Sequence, residues 1–198
     1  MAARGAGVLI LCALAFEARG LRRITRSSPI PVTVAVTGIG PQRALQAARR
    51  LLAAVQPQRC LGLGLCGSLV ADSAAVVAPA DVLDEGGGVW PCASLSGVEQ
   101  RGRMVTVRRL AATPERKREL AQAYAADFVD QESAAWARAA AECAVEFSVL
   151  RSVLDGPDDH LLSWRPQAWT ALPGLPLRAL RARTALVNMG GRVLCELS

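Results

Sequence analysis

Short apolar runs alternate with amphipathic stretches along most of the chain. Val8 to Ala13 is continuously apolar and predicts a strand buried on both faces. Val32 to Thr37 is β-branched and predicts a second strand, ended by Gly38-Ile39-Gly40. Pro41 then opens a helix, at a position where its missing N–H costs nothing. Leu45, Ala48, Leu52 and Val55 fall on one face of that helix. Cys60 to Gly64 predicts the next strand, running into a Gly-rich turn. Val76 and Val77 begin a short strand near Asp81, Glu85 to Gly102 reads as a loop or irregular hairpin, and Met104 to Leu110 is another strand. Thr113 as N-cap with Pro114 behind it starts a helix to about Ala126. The segment around Arg22 to Pro31 is basic and loop-like.

The segment from Asp130 to Asp155 carries the strongest chemical signal. Glu132 opens an Ala-rich helical stretch, and a β-branched run then delivers a second acid, Asp155, at its far end. A strand–helix–strand unit would bring both carboxylates to the same edge of a parallel sheet, where ligands of open α/β folds bind. On spacing alone, two helix-cap acids remain an equal reading. Gly156-Pro157 breaks the chain after Asp155, Pro166, Pro173 and Pro176 divide the tail, and Leu177 to Val187 predicts a final helix. The expected architecture is one α/β domain over residues 1–198, with a mostly parallel central mixed sheet flanked by helices.

Composition narrows the function. Hydrophobic residues make up 52% and aromatics only 4%, so a packed core must be built from Ala, Val and Leu. The net charge of +6 raises the question of an anionic partner. The basic residues are nearly all Arg, Lys117 being the only lysine, and they are spread along the chain without an aromatic-interleaved patch. No nucleic-acid partner is expected. Six cysteines without a C-x-x-C pair, and a single histidine, His160, argue against a metal site and for reduced cytoplasmic thiols. Residues 1–15 also resemble a short signal peptide, the alternative to a buried first strand. No apolar stretch reaches the length needed for stable membrane insertion.

Gly62-Leu63-Gly64-Leu65-Cys66-Gly67 matches G-x-G-x-x-G, but a dinucleotide site needs a helix opening at the third glycine. Here the chain returns to a β-type run by Val76, leaving no room for one. Two readings stay open: glycines that let a ligand approach exposed backbone amides, or a tight turn needing positive φ.

In chain order, these pieces resemble the nucleoside phosphorylase and nucleosidase superfamily. A-L-A-F-E-A resembles the acid-bearing turn after its first strand, T-G-I-G-P its G-I-G turn before a helix, and G-L-C-G-S-L its Gly-rich loop. V-D-Q-E-S-A-A and V-L-R-S-V-L-D-G-P-D-D resemble its M-E-S/A and R-x-x-S-D-x-A-D patterns. A-F-E-A and V-D-x-E-S look most like the hopanoid-associated phosphorylase branch, implicated in removing adenine from adenosylhopane.

The resemblance implies cleavage of the N-glycosidic bond of a purine nucleoside, with no cofactor. Asp155 would protonate the purine, Glu132 would accept hydrogen bonds from the ribose hydroxyls, and Glu17 would activate water. Gly64, Leu65, Cys66 and Gly67 would line the sugar or phosphate end. Gln131 stands where the family usually has methionine beneath the ribose, and Leu154 replaces the usual serine before the aspartate. The region from Gly86 to Gly102 is compressed. Glu17 favours water as nucleophile, whereas a phosphorylase would use phosphate as co-substrate and need arginines such as Arg19, Arg22 or Arg43 nearby. By resemblance a homodimer is expected. The alternative to an enzyme is a non-catalytic nucleoside-binding protein of the same fold.

Overall fold

The central strand β1 (Val8–Cys12) shows how the layers form. In the computed structural model, which describes residues 7–25, 28, 30–71, 73–161 and 175–196, all five of its residues are buried. Leu9 and Leu11 point to one face and Val8, Ile10 and Cys12 to the other, as the two-residue strand period requires. On the first face lie α2 (Pro41–Val55) and α4 (Ser133–Glu142), which pack through Ala44, Ala48, Ala137 and Ala140. Small side chains let these helices approach closely, which is how a core poor in aromatics closes. On the second face lie α1 (Ala15–Ile24) and α5 (Leu175–Glu196), contributing Ala18, Leu21, Leu186 and Val193.

Among the described residues the sheet has nine strands. β2 (Val32–Val36) and β3 (Arg59–Ser68) flank β1, both parallel to it. The long β9 (Glu146–Asp155) runs parallel to β3 along its whole length, from Arg59↔Glu146 to Gly67↔Asp155. β4 (Val76–Val77) pairs antiparallel with β9. β5 (Asp81–Asp84) pairs with β6 (Val89–Pro91), antiparallel, and with β7 (Arg103–Thr106), parallel. β8 (Phe128–Asp130) is parallel to β7 but antiparallel to the end of β3. α3 (Pro114–Tyr124) precedes β8, and Thr113 caps it by accepting from Arg116 N at 3.3 Å. No helix of the described residues is long and apolar enough to cross a membrane.

One topological detail positions the site. Since β9 occupies one edge of β3 throughout, β1 and β8 must share the other edge. β1 pairs with residues 59–62 and β8 with residues 67–68. Between them, Leu63 to Cys66 have no strand partner on that edge. The sheet splits there, and a split sheet leaves backbone donors that a side chain must satisfy.

Several expectations are corrected. The Gly-rich segment is not a turn: Gly62, Gly64 and Gly67 all lie inside β3 and none has positive φ. Gly62 makes room for Trp136 and Phe147, Gly64 for Arg151 and Glu17, and Gly67 for Asp155 and Val129. Positive φ occurs instead at Gly38 (86°) and Gly40 (92°), where the chain turns into α2. Arg22 and Arg23 belong to α1 rather than a loop, on its exposed side. β8 and β9 do not form a simple parallel unit, because β8 joins β3 antiparallel. The final helix is longer than its predicted Leu177 to Val187 core. The breaks assigned to Pro166 and Pro173, and the first residues of the leader-like segment, lie outside the described residues.

Candidate active site

Glu17 lies in the first turn of α1, immediately beyond β1, and is only 2% exposed. Its Oε2 accepts the Leu14 amide at 2.8 Å, closing its own helix start. Its Oε1 accepts the Leu65 amide at 3.0 Å, across the split in the sheet. Glu17 is thus both a helix-opening acid and the group that satisfies the orphaned edge of β3. Burial raises its pKa, against the opposing pull of Arg151 and the backbone amides.

Glu132 sits at the start of α4, 5% exposed, and its Oε1 accepts the Gly40 amide at 2.9 Å. The positive-φ turn before α2 therefore aims a backbone donor at this acid. Burial, reinforced by neighbouring Asp130, pushes Glu132 up to about 8. Asp130 is held by Thr106 Oγ1 at 2.6 Å, by the Ser133 amide at 2.9 Å, and by Arg151 Nη2. Arg151 projects from β9 and is fully buried, its guanidinium 4.8 Å from the Trp136 ring centroid and 2.8 Å from Ser133 Oγ. Its Nη1 has no partner among the described residues.

Asp155 ends β9, beside Gly67. Lys117 Nζ, from α3, donates to its Oδ2 at 2.5 Å, while its buried Oδ1 has no partner among the described residues. Burial raises the carboxyl to about 6, with Lys117 pulling it back down. Capping of the following turn falls to another acid, since the Gly156 amide donates to Asp159 Oδ2 at 2.9 Å.

Two adjoining pockets connect these groups. One is lined by Glu17, Glu132, Ile39 and Leu65. The other is lined by Asp155 and Gly67 with apolar Val107, Leu110, Ala111 and Leu161. Asp130 and Gln131 belong to both walls. Gln131 is half-buried at that junction and donates to Arg108 O at 3.1 Å. Glu17, Glu132, Gln131 and Asp155, singled out from the sequence, are therefore brought together. Of the Gly-rich segment only Leu65 and Gly67 line the pockets. Gly64 lies under Arg151 and Glu17, Cys66 faces the core, and neither residue lines either pocket. Leu154 packs among Leu65, Leu161 and Ala179.

The sequence reading assigned no role to Asp130, Arg151 or Lys117. The available signals were an arginine inside a β-branched run and the single lysine of the chain. Among the described residues no group of three His, Cys, Asp or Glu side chains is arranged to hold a metal ion.

The fold is shared with solved nucleosidase structures. The chain superimposes on 5'-methylthioadenosine/S-adenosylhomocysteine nucleosidase from Helicobacter pylori with a TM-score of 0.76 at 16% identity, over 98% of this chain and 97% of that one. It superimposes on Arabidopsis thaliana 5'-methylthioadenosine nucleosidase at 0.79 and 18% identity, over 99% and 97% of the two chains. Futalosine hydrolase of Helicobacter pylori gives 0.71 at 16% identity, over 97% and 95%. No protein-family model matches the sequence, and no curated protein does.

Proposed function

We propose that this protein is an enzyme that cleaves the N-glycosidic bond of an adenine nucleoside, with water as the nucleophile. The observation that carries this reading is the meeting of Glu17, Glu132 and Asp155 at two adjoining pockets, with Asp155 Oδ1 and Arg151 Nη1 left without a hydrogen-bond partner among the described residues. The apolar lining beside Asp155 matches the face of a purine, and the acidic lining beside Glu17 and Glu132 matches the hydroxyls of a ribose. As the bond from C1' to the base breaks, its electron pair moves to the purine, and Asp155 supplies a proton there so that adenine leaves neutral. Glu132 accepts hydrogen bonds from the ribose hydroxyls. Glu17 takes the proton of the water that attacks C1', a division of labour between two carboxyls that parallels glycoside hydrolysis. In the Helicobacter pylori nucleosidase, an Asp-to-Asn variant holds 5'-methylthioadenosine in its active site, which is consistent with an aspartate acting in turnover rather than in binding.

The charges favour water over phosphate. The ribose-side pocket gathers Glu17, Asp130 and Glu132, and the nearest cation, Arg151, is already bound to Asp130. Arg19, Arg22 and Arg43 are exposed and line neither pocket. An incoming phosphate would find no arginine or lysine among the described residues that line the ribose-side pocket.

The test is adenine release from 5'-methylthioadenosine and from adenosylhopane, each with and without phosphate. Release in phosphate-free buffer is expected, and the better substrate identifies the nucleoside class. Strict phosphate dependence would refute the hydrolytic reading. Binding without release from either nucleoside would point to a nucleoside-binding protein.

A further inference from the structure

We propose that Lys117 is the positioning residue for the proton donor of this site: it holds Asp155 Oδ2 from behind, leaving Oδ1 free to carry the transferable proton. The inference rests on the reading of Asp155 as the acid, and adds the residue through which that acid is aimed and charge-balanced.

Lys117 projects from the inner side of α3, with Leu120 one turn further along the same buried face. It is the only lysine in the chain and is completely buried. An ammonium has three donors, and all three are used: Asp155 Oδ2 at 2.5 Å, Gly156 O at 2.5 Å and Asp159 O at 3.0 Å. These acceptors span the end of β9 and the turn beyond it, so one side chain fixes both the carboxylate and the backbone that carries it. The cost of burying such a charge is high, and stability alone is a weak reason to keep it.

The consequence for chemistry follows from the unequal oxygens. Asp155 Oδ2 is occupied, and Gly67 presents only hydrogen toward the carboxylate, so among the described residues nothing competes for Oδ1. When the proton on Oδ1 passes to a nitrogen of the base, the electrons of the broken glycosidic bond stay on the base. The carboxylate left behind remains paired with the Lys117 ammonium. Lys117 thus favours proton release at the moment the base needs it. The other charged or titratable groups facing Asp155 are Asp159 on the following turn, Arg178 on α5 and Cys66 on β3. Arg178 is itself bound to Asp159 Oδ2 at 3.1 Å, which leaves Lys117 as the direct counter-ion.

The experiment is the pH dependence of adenine release from 5'-methylthioadenosine by the full chain and its Lys117→Met variant. Without the ammonium, Asp155 holds its proton more tightly, so the alkaline limb of kcat/KM is expected to move up by at least about one pH unit. The maximal rate is expected to fall about tenfold or more. A lower rate with an unmoved limb would overturn the inference, since a purely structural residue changes only the amount of folded enzyme. Should Lys117→Met fail to fold, the comparison is Asp155→Asn against Asp155→Asn with Lys117→Met, the second of which removes both members of the buried ion pair. Equal rates are expected, because Lys117 acts through Asp155, and a further large drop would overturn the proposal. Wild-type activity in Asp155→Asn alone would remove the functional reading and this inference together, whereas a dead Asp155→Asn with an unmoved Lys117→Met profile removes only the inference.

Discussion

Adding one methyl group at Gly64 is expected to disable the site from underneath. A Cβ there would overlap Arg151 Nη1 and lie 2.8 Å from Glu17 Oε1 and 3.3 Å from its Cδ. Neither neighbour can yield freely. The guanidinium is tied to Asp130 and Ser133 and lies over the Trp136 ring. The Glu17 carboxylate is tied to the Leu14 and Leu65 amides. If the ion pair survives and the strain is shared, overpacking costs about 1–3 kcal/mol. If the guanidinium leaves Asp130, breaking a buried pair costs about 3–5 kcal/mol. The cheaper route wins, so Gly64→Ala should lose about 2 kcal/mol, or about 4–8 °C in Tm for a domain of this size. Activity should suffer more than stability. A displacement of about 1 Å in a nucleophile-orienting group can cost about a hundredfold in rate. Calorimetry gives the first number, and adenine release measured well below the variant's Tm gives the second. Wild-type Tm together with wild-type kcat would refute the placement of Glu17 and Arg151 over Gly64.

Glu17→Gln should lower adenine release by about 10²-fold or more, the usual contribution of a general base. It should also cost about 1–3 kcal/mol in denaturant unfolding, because both oxygens of Glu17 accept amide hydrogens and a carboxamide nitrogen cannot. A fully active variant would contradict the water-activating role. The ligand-free protein should become less stable as pH rises. Asp155 is raised from 3.8 to about 6 and Glu132 from 4.5 to about 8, so between these values the folded state binds more protons than the unfolded chain. The associated stability is complete below the unfolded values and is lost as pH climbs through about 6 and then about 8. A Tm that rises steadily from about pH 5 to about pH 9 would contradict this assignment.

The order of strands and helices was legible because runs such as Val8 to Ala13 and Val32 to Thr37 have no competing helical period. The acids Glu17, Glu132 and Asp155 were legible because each stands at the end of such a run. The Gly-rich segment misled for a physical reason. Glycine signals a turn when judged by local backbone freedom, but here it is required by side chains arriving from elsewhere in the chain, Trp136, Arg151 and Asp155 among them. The same blindness hid Lys117 and Arg151. A cation in an α-helix or a strand reads locally as a solvated position, and only the tertiary fold brings it against Asp155 or Asp130. The basic stretch at Arg22 and Arg23 looked like a loop because the apolar partners of α1, Leu186 and Val193, lie far along the chain in α5. The split of the sheet at Leu63 to Cys66 was illegible from the sequence, since it depends on which strands share an edge of β3.

The assignment of Asp155 as proton donor is tested most directly by single-turnover adenine release from 5'-methylthioadenosine in phosphate-free buffer, comparing wild type with Asp155→Asn at saturating enzyme. Asparagine keeps the shape and removes the transferable proton. The expected result is release by the wild type and a loss of about 10²–10⁴-fold in the variant, with nucleoside still bound. Equal rates of release in the two proteins would contradict the central claim.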